Sequence, residues 1–505
     1  MTSTSIHRRL SINSLANLAR YAVYVVVTFF MTPYTIRKLG LDDYGLWVLV
    51  LAIVGYGGLL ELGVQTSVIK LVAQKNAAND KDGLQRIVST AYAFFQISGL
   101  LIAGVLIFAA HIFVAEQVSS PEHHEMVRML FVILGINTAI CFPSYVLGGV
   151  VFGMQRYVAK SFLDIFLAIV NAGLTFMVLE QDKGIVGLAL VKMTVDVGSI
   201  LSLFLLVKRV VPDLKISFSE LTVSSFRELF SLGGKIFISS TTTRIAINTE
   251  PVIVSFAMSN SWTTVFSVPK RMVEYVREIS MAATTGFMPM FSDLHGRGDV
   301  KQIAQIYEQY TRYTLIMVIP FISFIMALGV PFMRLWVGED MAIKGGNLIY
   351  YLSLSFLMQS LQPLVARLMI GVGNVNFLVA VSSIGTIVYL MLGAILIHFI
   401  GIDGIGVASV VITVATQMLY MPYVCRYLNI PLINHVLNCH FRPVISWCII
   451  SLFMYLMTNM VNCDSYAKLL LVSFVGSVFC AVVYFYVLLT ESEKKFFIEK
   501  FYHKV

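Results

Sequence analysis

Apolar segments long enough to cross a lipid bilayer recur along almost the whole of this 505-residue chain. A membrane-spanning helix needs about 20 mostly apolar residues, because lipid offers the backbone no hydrogen-bond partners and a helix satisfies its own. Hydrophobic residues make up 58% of the chain and charged residues 13%, whereas soluble domains carry roughly 45–50% and 25%. The sequence therefore predicts an all-α polytopic membrane protein and excludes a soluble globule.

Fourteen segments have the required length and apolar character. They fall at 15–36, 44–68, 88–114, 127–152, 160–179, 184–207, 228–257, 261–290, 310–336, 346–372, 375–399, 402–425, 442–460 and 466–489. Lysine and arginine near span ends are retained in the cytoplasm, and about 21 lie on one side of this topology against 6 on the other. Both termini are therefore predicted to be cytoplasmic. The first segment has no small-residue cleavage site and is predicted to be a retained span, not a signal peptide.

A repeated motif indicates that one half of the chain duplicates the other. Gly-Ile-x-Gly opens the sixth span at Gly184 and the twelfth at Gly401, an offset of about 217 residues that also carries Glu61 onto Glu278. Six spans is an even number, so the two halves share one orientation and are expected to enclose a cavity. The predicted parts are an N-terminal six-helix lobe (1–207), a cytoplasmic linker (208–227), a C-terminal six-helix lobe (228–425), an appended helical pair (426–490) and a cytoplasmic tail (491–505).

Ionisable side chains inside the spans are the candidate functional residues. Each costs at least about 2.5–3.5 kcal/mol at the bilayer centre, so such residues usually face a bundle interior or a wet cavity. The nine basic ones are Arg20, Lys192, Lys235, Arg244, Lys270, Arg271, Arg277, Arg334 and Arg367. The five acidic ones are Glu61, Asp196, Glu250, Glu274 and Glu278. This positive excess suits the passage of phosphate or diphosphate, because arginine and lysine bind phosphoryl oxygens.

Two functional sets follow from these charges. The expected substrate-binding cations are Arg20, Lys235, Arg244, Lys270, Arg271, Arg277 and Arg367. The candidates for coupling to protons or sodium ions are Glu61, Asp196, Glu250, Glu274 and Glu278.

Several of these residues also have a structural interpretation. The charges of the eighth span lie three and four residues apart in one stripe, which either faces substrate or pairs internally through Lys270–Glu274 and Glu274–Arg277. Lys192 and Asp196 are favoured as a structural i,i+4 pair, and Arg20 and Arg367 have the length to reach the membrane interface. The missing N–H groups of Pro251 and Pro269 are expected to bend or open the seventh and eighth spans.

Other chemistries are excluded by what the sequence lacks. Its loops are too short for a folded catalytic domain, and it has neither a nucleotide-binding P-loop nor a run of basic residues that would bind nucleic acid. The six cysteines form no CxxC pair and are interpreted as packing residues. We therefore expect no enzyme, no cofactor, no metal site and no nucleic-acid partner.

The region between the first two spans resembles a known family. Residues 33–47, PYTIRKLGLDDYGLW, and residues 59–63, LLELG, are similar to the opening of polysaccharide transporters, the Wzx-type O-antigen flippases of the multidrug/oligosaccharidyl-lipid/polysaccharide (MOP) exporter superfamily. The resemblance implies V-shaped six-helix lobes that alternate between two openings in the bacterial inner membrane. It further implies an undecaprenyl-diphosphate-linked oligosaccharide as substrate, an ion gradient as driver, and polysaccharide polymerase or export components as partners. Relatives more often have Asp where this chain has Glu61.

Three other functions are weighed against this one. A cation-coupled multidrug exporter of the same superfamily usually takes cationic compounds, for which acidic interior residues would be expected to dominate. A membrane glycosyltransferase or polymerase would need a large extramembrane loop with catalytic acids. A lipid scramblase or a scaffold would leave the buried charges without a purpose.

Overall fold

The computed structural model describes residues 3–61, 63–117, 121–284, 287–489 and 494, and within these ranges its regular elements are helices. The α-helices are α1 Ser3–Gly55, α2 Val64–Ala77, α3 Lys81–Gln117, α4 Pro121–Cys141, α5 Ser144–Gly153, α6 Tyr157–Glu180, α7 Gly184–Val210, α8 Val223–Ala257, α9 Asn260–Ala283, α10 Phe287–Gly296, α11 Val300–Trp336, α12 Glu339–Gln359, α13 Gln362–Gly371, α14 Asn376–Ile400, α15 Asp403–Tyr427, α16 Leu432–His435, α17 Arg442–Val461 and α18 Tyr466–Val483. Short 3-10 helices cover Tyr56–Glu61 and Phe218–Glu220, and π-helical turns cover Val436–Phe441 and Tyr484–Leu488.

Within the described residues, 11 helical stretches are long and apolar enough to cross a membrane. One of them, Ala19–Glu61, covers the first predicted span and most of the second. The seventh and eighth predicted spans correspond to α8 and α9, which are 35 and 24 residues long but carry more charge than the other spans. The prediction of an all-α polytopic membrane protein is therefore confirmed, and fourteen spans are compatible with these helices.

Gly40 interrupts the long first helix. Its φ of 80° and ψ of 174° lie outside the helical region and in the left-handed half of backbone space, which residues with a Cβ rarely adopt. The glycine thus allows the chain to leave one span and begin the next within a single run of helical residues.

Matching helices confirm the duplication. α3 and α11 each have 37 residues, α4 and α12 each have 21, and α5 and α13 each have 10. The next pairs are nearly equal, with 24 and 25 residues in α6 and α14 and 27 and 25 in α7 and α15. The same order of long, interrupted and paired helices therefore occurs twice along the chain.

The chain divides into two compact units, Met1–Thr264 and Val265–Val505. In the N-terminal unit α8 packs on α1, α2 and α3, so this helix lies with the elements that precede it. Fully buried side chains such as Leu49, Phe95, Phe131 and Leu147 form the core of this unit. The predicted lobe boundaries stay a prediction, because this division follows packing and not the repeat.

The C-terminal unit has two hydrophobic cores. One lies where α17 and α18 pack on α11, and Ser451 there donates a hydrogen bond to Ser323 with an Oγ–Oγ distance of 3.0 Å. The other joins α10, α11, α13, α14 and α15. The two helices predicted as an appended pair are thus packed on the long helix of the second repeat. The predicted tail, 491–505, lies outside the described residues apart from Lys494.

Asp80 caps the start of α3 in the turn that follows α2. Its Oδ1 accepts a hydrogen bond from the Gly83 N–H at 2.8 Å, and its Oδ2 lies 3.0 Å from Nζ of Lys75. The Gly83 N–H and the Lys75 ammonium hold the pKa of Asp80 below its usual range, because both favour the ionised carboxylate. This carboxylate satisfies a backbone donor that the first turn of the helix cannot satisfy itself.

Candidate functional site

An ion pair with a buried carboxylate lies where the second predicted span is interrupted. The chain leaves α1 at Gly55, continues as the 3-10 helix Tyr56–Glu61 and resumes in α2 at Val64. Glu61 is 8% exposed, and its Oε2 accepts a hydrogen bond from Nη2 of Arg244 in α8 at 2.5 Å. One of the expected ion-coupling acids and one of the expected substrate-binding cations therefore neutralise each other.

The local sequence makes room for this pair. A Cβ at Gly58 would collide with Nη1 of Arg244, so the guanidinium occupies the space that the missing side chain leaves. The hydroxyl groups of Tyr56 and Thr249 are hydrogen-bonded at 2.6 Å, which fixes the 3-10 helix against α8. Gly58 thus allows close packing against a charged side chain from another helix, which residue spacing within one helix does not reveal.

A second balanced pair lies on α7 and contacts α4. Nζ of Lys192 is 2.9 Å from Oδ2 of Asp196, and the same oxygen accepts a hydrogen bond from Nδ2 of Asn137 at 2.8 Å. Asn137 is buried, and it also accepts a weak hydrogen bond from the Cys141 thiol at 3.4 Å. The i,i+4 pairing expected from the sequence is therefore present, with an amide partner that the sequence did not indicate.

Arg20 belongs to a cluster in which two cations share one acid. Its Nη1 lies 3.9 Å from Oδ2 of Asp164 in α6, and Lys160 forms an ion pair with the other oxygen of the same carboxylate. Two positive charges against one negative charge leave a formal surplus of one. Sequence reasoning missed both Lys160 and Asp164, because they fall at the edge of the fifth predicted span.

The polar stripe of α9 is a cluster of three cations around Glu274, hereafter the α9 cluster. The Glu274 carboxylate lies 4.0 Å from Nζ of Lys270, 3.5 Å from Nη1 of Arg271 and 3.9 Å from Nη2 of Arg277. The spacings of three and four residues place these side chains on one side of the helix. Both pairings that the sequence predicted are present, and Arg271 joins them.

Counted over these four side chains alone, three cations and one carboxylate give the α9 cluster a formal charge of +2. Lys270 and Arg271 each have a further contact, and Glu278 lies one turn beyond Glu274 on the same helix. Arg271 is the most open member, with 44% of its side chain exposed, whereas Lys270 is 18% exposed and lies over the Phe266 ring at 5.3 Å. Positive charge that is not balanced within its own cluster can be stabilised by an anion. The α9 cluster therefore has the chemistry to bind a phosphoryl group.

The prolines do not open these helices. α8 continues through Pro251 and α9 through Pro269. Each proline removes one backbone donor, but the turns on either side keep their own hydrogen bonds. Neither helix is opened at its proline, and the other half of the expectation, that the prolines bend these spans, stays a prediction.

The remaining predicted site residues have separate positions. Arg367 is half-buried in α13 and forms no ion pair with any other residue that the structure describes. Glu250 is half-buried in α8 and Glu278 is exposed on α9. Arg334 pairs with Glu339, with an Nε–Oε2 distance of 2.7 Å. The side chain of Lys235 lies outside the described part of the chain.

The sequence matches a known family over more than half of its length. A model of the family described as "Polysaccharide biosynthesis protein" matches residues 36–342. The chain is 21% identical over 407 residues to "Putative O-antigen transporter" of Shigella flexneri, which covers 78% of this chain and 93% of that protein. It is 19% identical over 517 residues to "Uncharacterized membrane protein EpsK" of Bacillus subtilis (strain 168), which covers 98% of each.

Solved structures share the fold. "Lipid II flippase MurJ, inward closed conformation" superposes with a TM-score of 0.73 at 13% identity, covering 94% of this chain and 98% of that one. An inward-facing "multidrug resistance MATE family transporter of the MOP superfamily" superposes with a TM-score of 0.68 at 14% identity, covering 83% and 97%. The resemblance that the sequence indicated is thus confirmed: the chain has the fold of these two solved transporters, and it belongs to the polysaccharide biosynthesis protein family.

Proposed function

We propose that this protein is a flippase that moves an oligosaccharide linked to undecaprenyl diphosphate from the cytoplasmic to the outer leaflet of the bacterial inner membrane by alternating access. The family match and the O-antigen transporter relative support transport of a lipid-linked saccharide. The observation that carries the proposal is the surplus positive charge of the α9 cluster. Polysaccharide polymerase and export components are the natural partners of such a transporter.

The electrostatics of the α9 cluster favour an anionic substrate over a cationic one. A diphosphate brings two or more negative charges into a region where Coulomb interactions are several-fold stronger than in water. Arg271 and Arg277 offer the planar donor pairs that bind phosphoryl oxygens, and Lys270 adds a point charge. The cluster of Arg20, Lys160 and Asp164 carries the same sign of surplus and is the alternative candidate site for the diphosphate.

The two ion pairs whose charges cancel, Glu61–Arg244 and Lys192–Asp196, are candidates for ion coupling and not for substrate binding. Glu61–Arg244 has no surplus charge to offer a diphosphate. Binding of a proton or another cation at Glu61 would remove the partner of Arg244 and so change the packing of α8 on the 3-10 helix. This pair is therefore our preferred coupling site, ahead of Asp196, whose charge Asn137 and Lys192 both stabilise.

The test is translocation in proteoliposomes. A fluorescent lipid-diphosphate oligosaccharide and a cationic dye are supplied in parallel, with proton and sodium gradients imposed separately. Movement of the glycolipid alone is expected, and the gradient that changes its rate identifies the coupling ion. Movement of the dye alone would overturn the proposal and favour a multidrug exporter.

Variants connect the activity to the α9 cluster. Arg271→Gln and Arg277→Gln are each expected to lower the glycolipid rate by at least about tenfold, which corresponds to about 1.4 kcal/mol. Arg297→Gln is the matched control, because Arg297 pairs with Asp293 at 2.8 Å on an exposed surface and has no place in the cluster. Unchanged rates in both cluster variants would exclude the α9 cluster as the diphosphate site.

A further inference from the structure

A group of metal-ligand side chains lies in the C-terminal unit, outside the residues used above. Glu308 comes from α11, His435 ends α16, and Cys439 lies in the π-helical turn Val436–Phe441. One possible ligand atom from each lies within 4.8 Å of the other two. Nδ1 of His435 is 3.6 Å from Oε1 of Glu308.

The π-helical turn explains how two of these groups come from one short segment. A π turn closes hydrogen bonds between residues five apart, so residues four and five positions along lie on the same side. Cys439 lies four positions after His435, and His440 lies five positions after His435. The rings of His435 and His440 are in edge-to-face contact, with centroids 5.2 Å apart.

His435 is buried and His440 is half-buried, and the ring nitrogens of both are enclosed by protein. His435 is 1% exposed, and neither of its ring nitrogens has a hydrogen-bond partner among the described residues. The same holds for both ring nitrogens of His440. Tyr307 stacks on His435 with ring centroids 5.4 Å apart and restricts its orientation. Buried polar atoms are nearly always hydrogen-bonded, so the two ring nitrogens of His435 call for a partner that the described side chains do not supply.

We propose that Glu308, His435 and Cys439 bind a zinc ion. Imidazole, thiolate and carboxylate are the three ligand types that zinc takes in proteins. Distances of up to 4.8 Å between the ligand atoms are somewhat wider than a zinc site with bonds of about 2.0–2.3 Å needs. Rotation of the Glu308 and Cys439 side chains toward His435 would close that gap. His440 or a water molecule fills the fourth position.

Charge balance favours zinc at this position. Coordination breaks the S–H bond of Cys439, a Zn–S bond forms, and the proton leaves to solvent. One thiolate, one carboxylate and a neutral imidazole then cancel the two positive charges of the ion. Burying a site with no net charge costs little free energy, whereas burying an isolated charge is strongly unfavourable.

The zinc site would tie α11 to the segment that leads into α17 and α18. The predicted topology places the N-terminal end of α11, which carries Glu308, at the cytoplasmic face. It places the segment 426–441 at the same face. The ion would therefore link the appended pair to the second repeat from the cytoplasmic side. Because zinc would bind the folded protein and not the unfolded chain, it would raise the free energy of unfolding by mass action.

The experiment measures metal on the purified full-length protein after loading with zinc chloride and removal of excess ion. Wild-type protein is expected to hold about one zinc ion per chain, and Cys439→Ser and His435→Gln are expected to hold at most about a tenth of that. Cys480→Ser is the matched control, because Cys480 is a buried thiol that does not belong to the group. A chelator should lower the melting temperature of wild type and of this control, but not of Cys439→Ser.

Cobalt substitution tests the site even where a variant fails to fold. Wild-type protein loaded with Co²⁺ is expected to show a thiolate-to-metal charge-transfer band and the visible spectrum of a tetrahedral ion. Glu308→Gln, at a partly exposed position, should weaken binding without loss of the fold. Wild-type protein without stoichiometric zinc and without that band would overturn the proposal. Equal zinc in wild type and all variants would overturn it as well.

Discussion

At the scale of single residues, the Glu61–Arg244 pair offers the sharpest energetic test. Removing Arg244 leaves the buried Glu61 carboxylate uncompensated, whereas removing both partners does not. Arg244 is 39% exposed, so water can compensate part of its charge when Glu61 is removed. Glu61→Gln and Arg244→Gln are each expected to destabilise the protein, and the double variant less than the sum of the two. The coupling energy should be about 1–3 kcal/mol, measured as a double-mutant cycle of unfolding in detergent.

The control for this cycle is a pair on the surface. Lys344 and Asp340 lie 2.9 Å apart, with 41% and 63% of their side chains exposed. Exposed i,i+4 pairs contribute only about 0.3–0.5 kcal/mol. A coupling energy at Glu61–Arg244 no larger than that of the control would show that the buried pair is not a stabilising unit.

At the scale of secondary-structure elements, the cap of α3 predicts an acid-sensitive contact. The pKa of Asp80 is lowered in the folded protein, so its contribution is present above the unfolded-state pKa near 4 and is lost as pH falls through the lower folded value. Asp80→Ala should lower the melting temperature at neutral pH. The difference from wild type should shrink as pH falls to about 3. A difference that stays constant over this range would contradict the assigned role of the carboxylate.

Helices and their repetition could be predicted from the sequence because they depend on local patterns. Apolar length located the spans, and spacing of three and four residues found Lys270–Glu274 and Lys192–Asp196. Contacts between helices could not be found in that way, since Arg20–Asp164 and Glu61–Arg244 join residues that only packing brings together. The same limit hid the group around His435, whose glutamate comes from a helix far away in the chain.

At the scale of the whole molecule, the distribution of lysine and arginine predicts the direction of every span. A fluorescent protein fused after Val505 is expected to fluoresce, because the C-terminus is predicted to be cytoplasmic. Alkaline phosphatase inserted at Asp182 should be active and at Asp213 inactive, because these turns lie on opposite sides of α7. Active enzyme at Asp213 would reverse the predicted orientation.

The ion pair between α8 and the interrupted span also sets an order of events during synthesis. Glu61 leaves the ribosome 183 residues before Arg244, an interval of roughly 10 to 40 s at about 5–20 residues per second. Throughout that time the early helices carry an acid whose partner does not yet exist, and its charge opposes full burial in lipid. The helices of the N-terminal unit therefore cannot complete their packing one after another in the order in which they are synthesised. Its assembly is completed by a helix from beyond the linker, so the nascent chain must keep its second span accessible until α8 is made.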